Sequence, residues 1–484
     1  MKRRLAGVAA AMLLLVVPTL APVAQAATAK CHGVKATIVG TSRDETIQGT
    51  KGRDVIVGRG GNDMIFGKGG NDVVCGGPGF DSVNGQGGSD KIFGDGDNDV
   101  LYSGPGNDRV NGGGGSDIVD YFFSKSAVTA NLTTGRATGE GTDVLIALEG
   151  VGGTAFDDHI TGGKNSETFD AGAGNDRVDA GPSVDLIAPG AGNDSIEGGE
   201  GIDMLFYLFS ETAVNVNIDQ GITTSGSETD TFTGIEGSTD SPFNDFIAGD
   251  ENDNLFISGP GDDHVEAGTG FDFVLYWLAD QPMTIDLSSQ RATGFGNDGF
   301  AGVEGAWGSL VAPNRIVGNF ASNALLGGLG DDEFLAGNGD DIMQGFTGND
   351  IYDGGAGNYD DAALAGGTSG VQVDLAAGTA TGSGADTLKG IESVEGTEFA
   401  DVLLGDGANN FLYGLGGNDQ LNGGNGNDFI GGGPGNDKTD GGDGSDNCWL
   451  AENLVSCEGT AAAPAHPLTA PVESVLSFEE ARSF

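Results

Sequence analysis

The chain carries an acidic residue at every ninth position over long stretches, and no other feature restricts its fold as strongly. The first run holds Glu45, Asp54, Asp63, Asp72, Asp81, Asp90, Asp99, Asp108 and Asp117, and an aliphatic residue follows two places after each, from Ile47 to Val119. The frame returns as Asp158, Glu167, Asp176, Asp185, Asp194 and Asp203, then as Asp245, Asn254, Asp263 and Asp272. It returns again as Asn314, Asn323, Asp332, Asp341 and Asp350, and last as Asp401, Asn410, Asp419, Asp428, Asp437 and Asp446. Of these 30 positions 26 are acidic and four are Asn, although Asp and Glu make up only 72 of 484 residues, so the phase is not an accident of composition. Each period reads as a six-residue turn followed by a three-residue strand whose central aliphatic side chain points inwards.

The turns are built from Gly, of which the chain has 91. Gly76-Gly77-Pro78-Gly79-Phe80-Asp81 shows the pattern, and seven copies keep all four fixed turn positions, those ending at Asp81, Asp117, Asp203, Asp332, Asp428, Asp437 and Asp446. Gly takes positive φ without steric cost, so such a turn can fold its carbonyl oxygens inwards. One short-armed Asp per turn then completes an oxygen-only donor set. Calcium is a hard cation that takes six to eight oxygens at about 2.3 to 2.6 Å.

The motif G-G-x-G-x-D-x-U-x resembles the haemolysin-type calcium-binding (RTX) family, and the resemblance spans residues 45 to 446. It implies an all-β parallel β-roll or β-helix solenoid in which two nonapeptides make one coil of about 18 residues. Turns then alternate between two edges, and each Ca2+ sits between turns n and n+2. Carried onto this chain, Asp63, Asp81, Asp99 and Asp117 line one edge and Asp72, Asp90 and Asp108 the other. Asp176 pairs with Asp194, Asp185 with Asp203, Asp332 with Asp350, Asp419 with Asp437 and Asp428 with Asp446, and Asp263, Asp272 and Asp341 complete the expected ligands. Asp99 and Asp185 depart from the motif, with Asp97 and Ser183 in the fourth turn position.

Four stretches interrupt the frame at nearly constant length: from Asp117 to Asp158, Asp203 to Asp245, Asp272 to Asn314, and from Tyr359, which holds the Asp place, to Asp401. In each, one acid leads another by six residues: Asp143 and Glu149, Asp230 and Glu236, Asp298 and Glu304, Asp386 and Glu392. They read as copies of one insert containing an alternating strand such as Val371 to Leu375, either as longer coils of the solenoid or as a sugar- or surface-binding face built from Tyr207, Tyr276, Trp277 and Trp307. The first turns after each insert lose the fourth-position Gly and read as transitional coils with poor or absent ion sites.

The charge is 21 Lys+Arg against 72 acids, a net of -51, which excludes nucleic acid as a partner. Residues 178–484 hold 5 of the bases and 51 of the acids and repel themselves unless a counter-ion binds. Lys2, Arg3 and Arg4, the apolar run Leu5 to Val17 and Ala24-Gln25-Ala26 read as a secretory signal peptide, and no segment reads as a membrane span. Four Cys allow three connectivities, and the wide gap favours Cys31 with Cys75 and Cys448 with Cys457. The resulting division is 1–26 signal peptide, 27–117 N-terminal cap and repeat block, 118–157 insert, 158–203 block, 204–244 insert, 245–272 block and 273–313 insert. It continues with 314–359 block, 360–400 insert, 401–458 block with disulfide cap, and 459–484 flexible tail.

His32, His159, His264 and His466 are not spaced as a zinc-protease pair, and no Ser stands in G-x-S-x-G, so the expectation is no enzyme. The sequence points to a secreted, extracellular protein that folds on binding multiple Ca2+ ions, because ligation and folding share one free energy. The second reading is a calcium-stiffened adhesin or matrix protein with an extracellular surface or polysaccharide partner.

Overall fold

The structure is a computed structural model that describes residues 29–365, 367–450, 453–457, 459, 472, 475 and 476. The expected signal peptide, 1–26, lies outside the described residues, as does most of the expected tail. The chain divides between Thr239 and Asp240 into two compact units, and each is a parallel β-solenoid.

In the first unit the three-residue strands arise where the sequence alternates around the inward aliphatic. Ser82–Asn84 pairs in parallel with Met64–Phe66 on one side and Val100–Tyr102 on the other, setting Val83 level with Ile65 and Leu101. On the facing sheet Val73–Pro78 pairs with Val55–Val57 and Lys91–Gly96, setting Val74 level with Ile56 and Ile92. Partners are 18 residues apart, so two nonapeptides make one coil, as the resemblance implied. Ile56, Ile65, Val74, Val83, Ile92 and Leu101 are fully buried, and the core is one side chain deep per sheet. The second unit repeats this: Ile316, Phe334 and Tyr352 stack on one sheet, and Leu412, Ile430 and Cys448 on the other.

The inserts are longer coils of the solenoid, as expected, and each carries extra strands. In the first, Thr129–Asn131, Arg136–Thr138 and Thr142–Ile146 form an antiparallel meander. Its last strand pairs with Arg109–Gly114 of the coil behind, and its first with His159–Thr161 of the coil ahead. The facing sheet crosses the same stretch through the single strand Gly150–Thr154, so one sheet gains two strands that the other lacks. Met283–Asp286, Arg291–Thr293 and Asn297–Ala301 repeat the meander, as do Gln372–Asp374, Thr379–Thr381 and Ala385–Lys389. Val214–Asn217, Ile222–Ser225 and Glu228–Thr233 do the same in the first unit. The reversal follows from the Gly-containing turns at Gly135, Gly221 and Gly378, each with φ near +65° (64°, 64° and 68°).

Both expected disulfides are present, Cys31 to Cys75 and Cys448 to Cys457. The first ties the hairpin Lys30–Cys31/Val34–Lys35 over Val55, Val73 and Phe93. Those residues flank the inward Ile56, Val74 and Ile92, so they point outwards, and the hairpin shields an apolar patch on the sheet's outer face. Cys448 takes an inward core position in the second unit. Gly459 bridges to Asn447, and Val472 and Val475 are buried.

Coil stacking leaves no room for a side chain at some turn positions. Gly88 has φ +143°, and a Cβ there would collide with the carbonyl oxygen of Gly70, whereas a Cβ on Gly96 meets nothing within 4 Å. Gly88→Ala is therefore expected to lower the unfolding midpoint in saturating calcium substantially, and Gly96→Ala to leave it nearly unchanged; equal effects would contradict the stacking.

Candidate metal centres

Each in-frame acid is built into a ladder along the turns. The Asp63 backbone N–H donates to Asp81 Oδ1 at 2.7 Å, Asp81 to Asp99 at 2.8 Å, and Asp99 to Asp117 at 2.9 Å. On the other edge Asp54 donates to Asp72 at 2.7 Å, Asp72 to Asp90 at 2.8 Å, and Asp90 to Asp108 at 2.7 Å. The Asp carbonyls are also used: Ser82 N–H donates to Asp63 and Val100 N–H to Asp81. Each carboxylate thus fastens the preceding coil with one oxygen.

The second oxygen is left over. Oδ2 of Asp63, Asp72, Asp81, Asp90, Asp99, Asp108 and Asp117 is buried with no hydrogen-bond partner. So is that of Asp194, Asp203, Asp272, Asp341, Asp419 and Asp428. A Cβ placed on Gly85 would lie 2.6 Å from Asp90 Oδ2 and 2.7 Å from the Ser103 carbonyl oxygen. One on Gly67 would lie 2.8 Å from Asp72 Oδ2 and 2.7 Å from the Gly85 carbonyl. Carboxylate and carbonyl oxygens converge there without a donor between them, a set that suits a hard divalent cation and nothing softer. Burial pushes the carboxyls up, Asp63 and Asp81 to about 7 and Asp99 and Asp108 to about 8, with neighbouring acids adding to it.

A profile of the RTX calcium-binding nonapeptide repeat (4 copies) matches residues 39–74, 76–101, 93–121, 153–178, 179–205, 240–274, 326–359, 395–430 and 416–448. Together these matches cover more than half of the chain. The chain belongs to the RTX calcium-binding repeat family. A search of curated proteins finds no match to it.

Within this RTX frame the turns differ in how they treat the acid. Glu45, Asp54, Asp158, Asp245 and Asp401 receive a hydroxyl from their own turn: Thr41 at 2.7 Å, Thr50 at 2.9 Å, Thr154 at 3.0 Å, Ser241 at 2.9 Å and Thr397 at 3.0 Å. Asn254, Asn323 and Asn410 accept the N–H of Asp250, Asn319 and Asp406 instead. These acids and amides are already served by neutral donors. Among the expected ligands Asp332 resembles them, because Gly328 N–H donates to its Oδ2 at 2.8 Å. Asp176, Asp263, Asp350, Asp437 and Asp446 hold their ladder places through Oδ1. The two departures from the motif keep the turn shape, Asp97 at φ 69° and Ser183 at φ 90°, as do Arg59 at 91°, Lys68 at 76° and Gln86 at 64° in the second position. Left-handed backbone without Gly is unfavourable, which loads the turns with strain that ligation can offset.

The period misplaces one ladder member. Asp360, not Tyr359, accepts the Asp341 N–H at 3.1 Å and donates to Glu392 Oε2 at 3.2 Å. The turn there holds one extra residue, which brings the Asp360 carboxylate into the ladder, and Tyr359 packs on Phe411 at 4.1 Å.

The paired acids of the inserts turn out to be ladder members too. Asp108 N–H donates to Asp143 Oδ1 at 2.9 Å and Asp117 N–H to Glu149 Oε2 at 3.0 Å; Asp194 and Asp203 do the same to Asp230 and Glu236 at 3.1 and 2.9 Å. Asp263 and Asp272 continue to Asp298 and Glu304, and Asp350 to Asp386. The ladder is therefore carried into every meander. Tyr121 and Tyr207 donate their hydroxyls to Asp143 and Asp230 Oδ2, both at 3.1 Å. Tyr207, Tyr276, Trp277 and Trp307 are all buried, so they form no exposed binding face; the second unit uses Trp277 and Trp307 as core, edge to face at 5.5 Å.

The raised carboxyl pKa values fix a sign. A buried Asp whose pKa rises from 3.8 to 6–8 holds its proton more tightly folded than unfolded, so the cation-free fold is most stable below about pH 4 and loses stability as pH rises through 8. In chelator the unfolding midpoint should fall between pH 5 and pH 8, and the calcium concentration for half-saturation should rise as pH drops, since proton and cation compete for Oδ2. A chelated fold more stable at pH 8 than at pH 5 would contradict this.

Proposed function

We propose that the protein is an exported calcium-binding β-roll whose folding is completed by multiple Ca2+ ions held along both turn edges. The observation that carries this reading is the run of buried, partnerless Asp Oδ2 atoms at one spacing. Carboxylates so placed cannot all ionise in a stable fold without a counter-ion, and the region 178–484 supplies only 5 Lys+Arg against 51 acids. Binding free energy then becomes folding free energy. Two disulfides suit an oxidising compartment, and the N-terminal pattern of residues 1–26 suits export through a cleaved signal, with folding outside the cell where calcium is abundant. Among the described residues no helix is long and apolar enough to cross a membrane. No catalytic role is proposed: the in-frame acids are accounted for as ladder members.

A second reading, a calcium-stiffened adhesin or matrix protein with a surface or polysaccharide partner, is favoured by one repeated detail. The first turn after three inserts exposes a phenylalanine in the same place: Phe156, Phe243 and Phe399 are 43%, 45% and 45% exposed. Recovery of the protein with the cell wall supports that reading, and recovery in the medium removes it.

Far-UV circular dichroism during a calcium titration of the chelated chain tests the main reading. Strand signal should appear with added calcium near pH 7.5, and identical spectra in chelator and in millimolar calcium would end it. Replacing Asp428 and Asp437 by Ala should expose residues 401–450 to limited proteolysis while leaving 46–120 protected, because each coil contacts only its neighbours.

A further inference from the structure

One turn breaks the rule that keeps the inward side of the turns small. Five residues before each in-frame acid stands Gly, Ala, Ser or, once, Pro189, but before Asp245 it is Asp240. That position points at the turn's own carboxylate: a Cβ on Gly58 would lie 2.6 Å from Asp63 Oδ2. A third acid is thus placed inside the second unit. Asp240, Asp245 and Asp263 are 1%, 5% and 4% exposed, and each offers an oxygen within 4.8 Å of the others.

The donors around them are neutral. Gly259 N–H donates to Asp240 Oδ1 at 2.6 Å, Ser258 Oγ to Asp240 Oδ2 at 3.0 Å, Asp245 N–H to Asp263 Oδ1 at 2.9 Å, and Ser241 serves Asp245. Neither Asp240 nor Asp263 makes an ion pair among the described residues, and the only Lys or Arg between residues 240 and 313 is Arg291. Burial and its two acidic neighbours hold the Asp240 carboxyl far above the usual carboxylate range.

An independent sign comes from Tyr276. Its counterparts Tyr121 and Tyr207 donate to the insert Asp at 3.1 Å, yet Tyr276, fully buried in the same place, has a hydroxyl without a well-formed partner, and Asp298 Oδ2 is left without a donor. The hydroxyl lies at the edge of reach of Asp298 and Ser258 and feels the charge of Asp240. Of the three inserts that carry a Tyr at this place, the one that faces an inward acid alone lacks a well-formed bond.

We propose that Asp240, Asp245 and Asp263, with the Ser258 and Tyr276 hydroxyls beside them, form an inward-facing Ca2+ site with one carboxylate more than the other turns offer. Three carboxylates and hydroxyl oxygens are a hard donor set, and a divalent ion removes the cost of burying the acids together.

Asp240→Gly restores the residue usual in the repeat, and Asp240→Asn keeps the volume should the first variant fold poorly. Calcium bound per full-length chain is counted by equilibrium dialysis. In a Trp449→Phe background, terbium emission excited through the two remaining tryptophans, Trp277 and Trp307, is a second readout. The expected result is one ion fewer in Asp240→Gly, a weakening of that ion by roughly tenfold in Asp240→Asn from the lost ligand charge, and several-fold lower sensitised emission at unchanged strand content. If the variants bind as many ions as the parent with equal emission, the inward site is refuted while the turn sites stand. If the parent binds none, both fall.

Discussion

The structure depends on what an Asp carboxylate can do with two oxygens at once. Oδ1 receives the backbone N–H of the Asp one coil behind, and Oδ2 is turned into a pocket with no donor. The first contact fixes the stacking distance and register. The second makes that stacking unfavourable for a bare anion, because burial without a partner opposes ionisation. One atom holds the coil together and its twin calls for a cation. Stacking and an unserved carboxylate oxygen are thereby joined within one side chain.

This explains why the hydrophobic core can be so thin. One aliphatic or aromatic side chain per strand, such as Val83 between Ile65 and Leu101, buries little area for the backbone that must be ordered, and Gly costs the most to order. Left-handed backbone at Arg59, Lys68, Gln86 and Asp95 adds to the debit. Turns with Thr over the acid, at Asp54, Asp158 and Asp401, meet the same need with a hydroxyl. The chain thus alternates between coils whose acid keeps an unserved oxygen and coils whose acid is served by their own donors, with the hydroxyl-served coils placed at the start and directly after inserts.

The inserts show how a repeat tolerates interruption. Each adds an antiparallel meander to one sheet, but its two acids keep the ladder in phase, with Asp143 and Glu149 taking up the N–H groups of Asp108 and Asp117. The six-residue spacing of those acids was visible in the sequence as a marker of common origin. Its purpose was not, because separations of 35 and 32 residues carry no periodic signal until the strands are paired.

Much was legible from residues alone, for a physical reason: a nine-residue period forces every inward aliphatic and every turn acid into equivalent surroundings, so one turn argued through describes most of them. The turn-and-strand unit follows from that period, cysteine spacing favoured the two disulfides that form, and the 18-residue coil, the all-β solenoid and the two edges of acids were what the resemblance to the RTX family implied. Three-dimensional pairing decided the rest. Only coordinates separate Asp360 from Tyr359 as the ladder member, since a single added residue in a Gly-rich turn is absorbed without disturbing the strands. Only they bury Tyr207, Tyr276, Trp277 and Trp307, because outward or inward direction within an insert depends on which strand it joins. And Asp240, one acid among 72, becomes distinctive only when the inward direction of its turn position and the closeness of Asp245 and Asp263 are known.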